Sequence, residues 1–148
     1  MKQIVITFLL LAASWSVHAE DGMKDRVSKF GFQETQSRLE AAIKEKGLMQ
    51  FAKIDHAEGA KQFGLEMLPA IVTIFGHPKG GTPVMVAAPK SAIDFPLKAI
   101  VWVDASGKVM LSYNSMDYVV NRHHIQGQDE LAKKLGNLLE ALSKAATE

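Results

Sequence analysis

The chain has 148 residues, with 17 basic and 16 acidic side chains, so it suits a single domain and carries almost no net charge. A near-neutral balance argues against a nucleic-acid-binding protein, which needs a basic stripe, and against electrostatic binding to a membrane surface. The absence of cysteine excludes disulfides, thiol catalysis and thiolate metal sites. The chain must therefore fold on its hydrophobic core alone, which its length allows.

Residues 1–19 have the three parts of a secretory signal peptide. Lys2 supplies the positive end, residues 4–13 form an apolar stretch, and a small-x-small cleavage site ends at Ala19. A membrane anchor is the alternative, but the apolar stretch is shorter than the ~20 residues that a span needs. We expect cleavage after Ala19, which removes one lysine and no acid. Residues 20–148 then form one neutral domain, periplasmic or secreted, with no attachment to the membrane.

Hydrophobic periodicity and turn signals predict alternating strands and helices along the rest of the chain. Strands are expected at 26–30, 48–55, 70–75, 97–103 and 109–113, and helices at 33–46, 56–63, 116–125 and from Asp129 onward. Gln50 is out of phase with its strand, and segment 80–91 fits either a short helix or irregular structure. The last two strands form a hairpin with its turn at 104–107. This order predicts an α+β fold, a mostly antiparallel sheet with helices packed on one face.

The strand at 70–75 is the most apolar of the set, and it ends in a loop rich in Gly and Pro that carries His77 and Lys79. A strand of this composition is expected to be covered on both faces. The N–H groups of the loop could form a small anion-binding nest, but a plain tight turn explains the composition as well.

We expect a pocket at the end of this central strand. Its predicted lining residues are His56, His77, Lys79, Lys98 and Tyr113. His56 follows the strand at 48–55, and the 56–69 segment is long enough for a crossover that would bring both strand ends together. Such a donor-rich set favours a small anionic or carbonyl-bearing ligand. If the two strands are instead antiparallel neighbours, His56 and His77 lie at opposite ends of the sheet.

Three blocks of sequence, in this order, resemble the domain of unknown function 302 family. They read IDHAEGAKQFGLEMLP, IFGHPKGGTPVM and IDFPLKAIVWVDASGKVMLSYN. The resemblance implies a β-α-β(4)-α fold, a homodimer and no established activity. It also implies that His77 is a departure, because the family usually has Asn there. The matching positions are Asp55, His56, Ala60, Gly64, Phe75, Gly76, Pro78, Asp94, Pro96, Lys98, Gly107 and Tyr113.

Three functions remain open at the level of sequence. The first is a non-catalytic domain that binds a small ligand or a protein partner, with no cofactor. The second is a copper-type metal protein that uses His and Met, although His123 and His124 diverge on a helix and no tightly held metal is expected. The third is an enzyme that uses His56, Lys98 and Tyr113, although no known catalytic motif is present.

Asp55 and Asp94 each have a structural interpretation that involves no ligand. Asp55 is expected to cap the helix that follows it. Asp94 and Lys98 could pair across the start of their strand, and Lys98 could share a hydrogen bond with Tyr113, since a charge in an apolar strand needs a partner.

Overall fold

The computed structural model describes residues 22–148, so the predicted signal peptide lies outside the described residues. The strands are β1 (Met23–Val27), β2 (Met49–Asp55), β3 (Ala70–Gly76), β4 (Leu97–Val103) and β5 (Val109–Asn114). The helices are α1 (Phe32–Glu45), α2 (His56–Gln62), α3 (Pro78–Ala87), α4 (Met116–His123) and α5 (Asp129–Thr147), with a 3-10 turn at Pro89–Ile93. Within 22–148, no helix has both the length and the apolar character needed to cross a bilayer.

The five strands form one sheet in the order β1-β5-β4-β3-β2, and every neighbouring pair is antiparallel. The predicted α+β class is confirmed. One face of the sheet packs against α1 and α5, whose leucines and isoleucines share a single core with the inward side chains of the strands. Phe75, Val101 and Leu111 are the inward anchors of β3, β4 and β5, and none is more than 1% exposed.

The opposite face, which we call the open face, follows from the pairing register. Paired residues point to the same side of an antiparallel sheet. One row therefore crosses all five strands, and its members are Asp25, Ser112, Ile100, Val72 and Ile54. Ile54 is 44% exposed and Val27, in the neighbouring row, is 55% exposed. The β4-β3-β2 part of the row, Ile100, Val72 and Ile54, is apolar and only partly buried.

Two predicted elements need correction. The first strand forms at Met23–Val27 rather than at 26–30. The Ser28 N–H still donates to the Val109 carbonyl of β5 at 2.8 Å, but the Ser28 hydroxyl accepts from the Phe30 N–H and bonds the Thr35 hydroxyl, so the chain turns toward α1 after Ser28. The expected loop after β3 is instead the first turn of α3. Pro78 occupies the first helical position, where its missing N–H costs nothing. The out-of-phase Gln50 marks a β-bulge in β2.

Candidate functional site

The C-terminal end of β3 opens into a cavity of about 300 Å³, which we call the α3 cavity. It lies between the first turns of α3, the start of β2, the turn before β4 and α5. Its walls are largely apolar, and among residues 22–148 the polar side chains that line it are those of His77 and Thr82. Its lining residues are Leu48, Phe51, Gly76, His77, Pro78, Gly80, Gly81, Thr82, Met85, Phe95, Pro96, Leu97, Leu135 and Leu138.

Gly81 lets α3 approach the rest of the cavity wall closely, whereas Gly80 has room for a side-chain carbon. A Cβ on Gly81 would lie 3.1 Å from Cδ1 of Phe95, tighter than ordinary contact, and one on Gly80 would lie 3.6 Å from Cδ2 of Leu135. Of the Gly-Gly pair that suggested a loop, Gly81 is therefore explained by helix packing. The end of β3 was predicted from the sequence, but the contribution of α5 to the apolar wall was not.

His77 caps the first turn of α3. Its Nδ1 accepts a hydrogen bond from the Lys79 N–H at 3.2 Å, and its carbonyl accepts from the Gly80 N–H at 2.8 Å. The imidazole thus satisfies one of the donors that every helix leaves unpaired at its N-terminus. Lys79 is exposed in the same turn, which contains no acidic side chain, and it is not part of the cavity lining.

The five predicted pocket residues do not share one cavity. Strands β2 and β3 are antiparallel, with Asp55 opposite Ile71 and Met49 opposite Gly76. His56 therefore lies at the end of the sheet opposite His77, and the predicted convergence of the two histidines is wrong. His56 is the first residue of α2 and is exposed, while Asp55 caps that helix as expected by accepting from the Glu58 N–H at 3.0 Å.

Lys98 and Tyr113 do come together, at a second and smaller cavity of about 160 Å³. The pairing of β4 with β5 ends at Ile100 and Ser112, although both strands continue beyond these residues. The strands separate there, and Lys98, Tyr113 and Asp94 line the resulting split.

Each of these side chains already has partners. Lys98 Nζ donates to the backbone carbonyls of Asp94 at 3.2 Å and Pro96 at 3.1 Å, so the expected bonds to the Asp94 carboxylate and to Tyr113 are absent. The Tyr113 hydroxyl instead donates to Glu140 Oε2 at 2.9 Å. Burial first, and the Glu140 hydrogen bond second, raise the pKa of Tyr113. The same bond is the leading cause of the lowered pKa of Glu140.

The partners of the Asp94 carboxylate are His123 and Arg122, and neither was predicted from the sequence. His123 Nε2 lies 2.6 Å from Asp94 Oδ2, and Arg122 Nη1 lies 3.2 Å from Oδ1. The His123 and Asp94 side chains are only 8% and 9% exposed, so this pair anchors α4 to the segment before β4 from a nearly buried position. No local sequence signal links these residues, since 29 positions separate them. Across residues 22–148, no three His, Asp or Glu side chains are grouped closely enough to hold a metal ion.

Residues 24–142 match the family described as Domain of unknown function DUF302. The chain belongs to the DUF302 family. A crystal structure described as an uncharacterized conserved DUF302 protein from Bacillus stearothermophilus has a TM-score of 0.77 over 85% of this chain and 98% of that one. At 18% identity it supports the fold alone.

Longer curated proteins are also similar to this DUF302 chain. One is named Fluoride-specific ion channel FluC 1, from Brucella suis, and another Fluoride-specific ion channel FluC 2, from Brucella melitensis. Each is 34% identical over 115 residues, or 78% of this chain. The chain spans only 45% and 43% of their lengths, respectively.

Proposed function

We propose that this DUF302 protein is a non-catalytic binding domain that holds a small, largely apolar ligand in the α3 cavity. The observation that carries this proposal is the cavity itself. Ligand sites are typically concave, mostly apolar and about 300–1,000 Å³ in volume, with a few placed polar groups. The α3 cavity lies at the lower end of that range and combines an apolar wall with one imidazole and one hydroxyl.

A binding role accounts for the chemistry better than the catalytic alternative. The proposed enzyme set of His56, Lys98 and Tyr113 is divided between opposite ends of the sheet. Lys98 and Tyr113 are both engaged in hydrogen bonds that stabilise the fold. The α3 cavity itself contains no carboxylate, thiol or amine side chain that could act as a nucleophile or be paired with His77 as a general base.

The proposal is tested with the apolar fluorescent probe N-phenylnaphthylamine. Met85 lines the cavity, whereas Val86, its neighbour on α3, is 76% exposed. Met85→Trp should fill the cavity and weaken probe binding by about tenfold or more, because it removes the volume that the apolar ring occupies. Val86→Trp, the matched control, should bind as the wild type does.

A second measurement covers the case in which the larger side chain disturbs folding. In the wild type, the methyl resonance of ¹³C-labelled Met85 should shift on addition of the probe, while that of Met110, on the open face, should stay in place. Equal probe binding by both tryptophan variants, or a shift at Met110 alone, would refute the α3 cavity as the binding site.

We further propose that the protein is exported and acts as a homodimer. The composition of residues 1–19 supports export, and the partly exposed apolar open face supports a second copy as partner. The Brucella relatives are named as fluoride channels, but this chain matches under half of their lengths, so fluoride transport is not part of the proposal.

A further inference from the structure

The hydrogen bond that caps α3 fixes which nitrogen of His77 carries a proton. Nδ1 accepts from the Lys79 N–H, so in the neutral ring Nδ1 must be unprotonated. The proton of the neutral imidazole therefore lies on Nε2. A His that caps a helix in this way is a hydrogen-bond donor at its remaining nitrogen, not an acceptor.

The same ring lines the α3 cavity, whose other polar side chain is the Thr82 hydroxyl. A hydroxyl can donate or accept and so selects no ligand class by itself. Lys79 lies between the lining residues Pro78 and Gly80 in the chain, and its ammonium group can donate hydrogen bonds but cannot accept them. The polar character of the cavity mouth is thus biased toward donation, while its walls offer only apolar contact.

We infer that the α3 cavity selects apolar molecules that end in a hydrogen-bond acceptor oxygen, a carboxylate or a carbonyl, with that oxygen bound to Nε2–H of His77. This inference rests on the proposed binding function and names its ligand class. A ligand that ends in an ammonium group would place donor against donor and positive charge near Lys79, so it is disfavoured.

Three probes built on eight-carbon chains separate the possibilities: octanoate, methyl octanoate and octylammonium, each used to displace N-phenylnaphthylamine from the wild type. Octanoate and methyl octanoate distinguish a charged acceptor from a neutral one, and binding of either supports the inference. Octylammonium should bind about tenfold or more weakly than the better of the two, as expected for the loss of one hydrogen bond with a buried apolar tail.

Two variants separate the role of His77 as a hydrogen-bond donor to the ligand from its role as the N-cap of α3. Asn and Asp are both strong N-cap residues, so His77→Asn and His77→Asp should each preserve α3. Asn keeps an outward N–H donor, whereas Asp presents a carboxylate. H77N should keep the preference for octanoate or its ester over octylammonium, and H77D should lose or reverse it. Equal melting temperatures of the two variants confirm that the helix is intact.

A wrong ligand class and a wrong binding site give different results in these experiments. Suppose that the naphthylamine probe binds and Met85→Trp blocks it, but the wild type binds all three eight-carbon probes equally. The cavity is then a binding site, and the inferred preference for an acceptor oxygen is wrong. The inference is also wrong if H77D retains the wild-type preference. If Met85→Trp leaves every probe unaffected, the proposed function itself fails.

Discussion

At the scale of single residues, the hydrogen bond from Tyr113 to Glu140 should make stability depend on pH. This bond lowers the pKa of Glu140 from its ordinary value of 4.5, so the folded state binds fewer protons there than the unfolded state. Its contribution is present above that value and is lost as the pH falls through the lowered pKa. Tyr113→Phe should therefore cost about 1 kcal/mol near neutral pH, less than is usual for a hydrogen bond to a charged group, because the Glu140 side chain is 44% exposed and solvent weakens the bond.

Urea unfolding of wild type and Tyr113→Phe, near pH 7 and again near pH 3, measures the effect. The difference in unfolding free energy should shrink toward the acid end. Tyr118→Phe is the control, because the Tyr118 ring lies over Arg122, 5.9 Å from its guanidinium carbon, and its hydroxyl is outside this network. A difference that stays constant between the two pH values would contradict the role assigned to Glu140.

Residue-level prediction from sequence succeeded where the partner is nearby in the chain. Asp55 was identified as a cap because its acceptor role involves a backbone N–H only three residues away. The pairing of Asp94 with His123 was missed because α4 brings the two together only in the tertiary structure. His77 was singled out by its position after an apolar strand, but its tautomer depends on a helix that begins directly after it, and the sequence did not place a helix start there.

At the scale of elements, two glycines should respond oppositely to the same substitution. Gly107 has φ of +84° in the hairpin turn, whereas Gly59 lies within α2 and a Cβ there would meet nothing within 4 Å. Gly107→Ala should destabilise the protein by about 1–2 kcal/mol, because the left-handed region is unfavourable for a residue with a Cβ. Gly59→Ala should stabilise it by about 0.5–1 kcal/mol through helix propensity. Thermal unfolding of both variants measures the signs, and a shift in the same direction would contradict this assignment.

Helix α3 shows why local patterns can leave an element undecided: a short helix was one of two alternatives for residues 80–91, and its start at Pro78 was not predicted. Its first turns contain two glycines, and Pro83 lies inside it, all of which disfavour a helix on propensity alone. Tertiary packing overrides this, because Gly81 lets the helix lie closely against Phe95. By contrast, α1, α5 and the hairpin were predicted because their apolar periodicity agrees with their burial.

For the whole molecule, the sheet class was predictable but the direction of one strand was not. The segment between β2 and β3 contains α2 and is long enough for either a parallel crossover or an antiparallel return. Its length therefore could not decide whether His56 and His77 meet. The observed antiparallel pairing separates them and leaves the α3 cavity to form from residues of β2, α3 and α5 that no motif connects.

The open face of the sheet favours a second copy of the chain as its partner. Its central row is apolar from Ile100 through Val72 to Ile54. Trp102 Nε1 donates to the Ser112 hydroxyl at 2.8 Å, so these two polar groups of the open face bond each other. Two such faces can pack about 10 Å apart through a two-fold axis, in which each copy presents the same self-complementary patch.

Ile100→Lys tests this arrangement, because it places a charge in the middle of the open face, where desolvation in a dimer would be costly. Light scattering at micromolar concentration should give a dimer mass for the wild type and a monomer mass for this variant. Val86→Lys, at an exposed position of α3, should remain dimeric. The backbone pairing of Ile100 with its neighbouring strands does not depend on the dimer, so the circular dichroism spectrum of the variant should match that of the wild type. A monomer mass with an unchanged spectrum would show that the variant has lost the interface and not its fold. A monomeric wild type, or a dimer that persists in Ile100→Lys, would exclude the open face as the contact between copies.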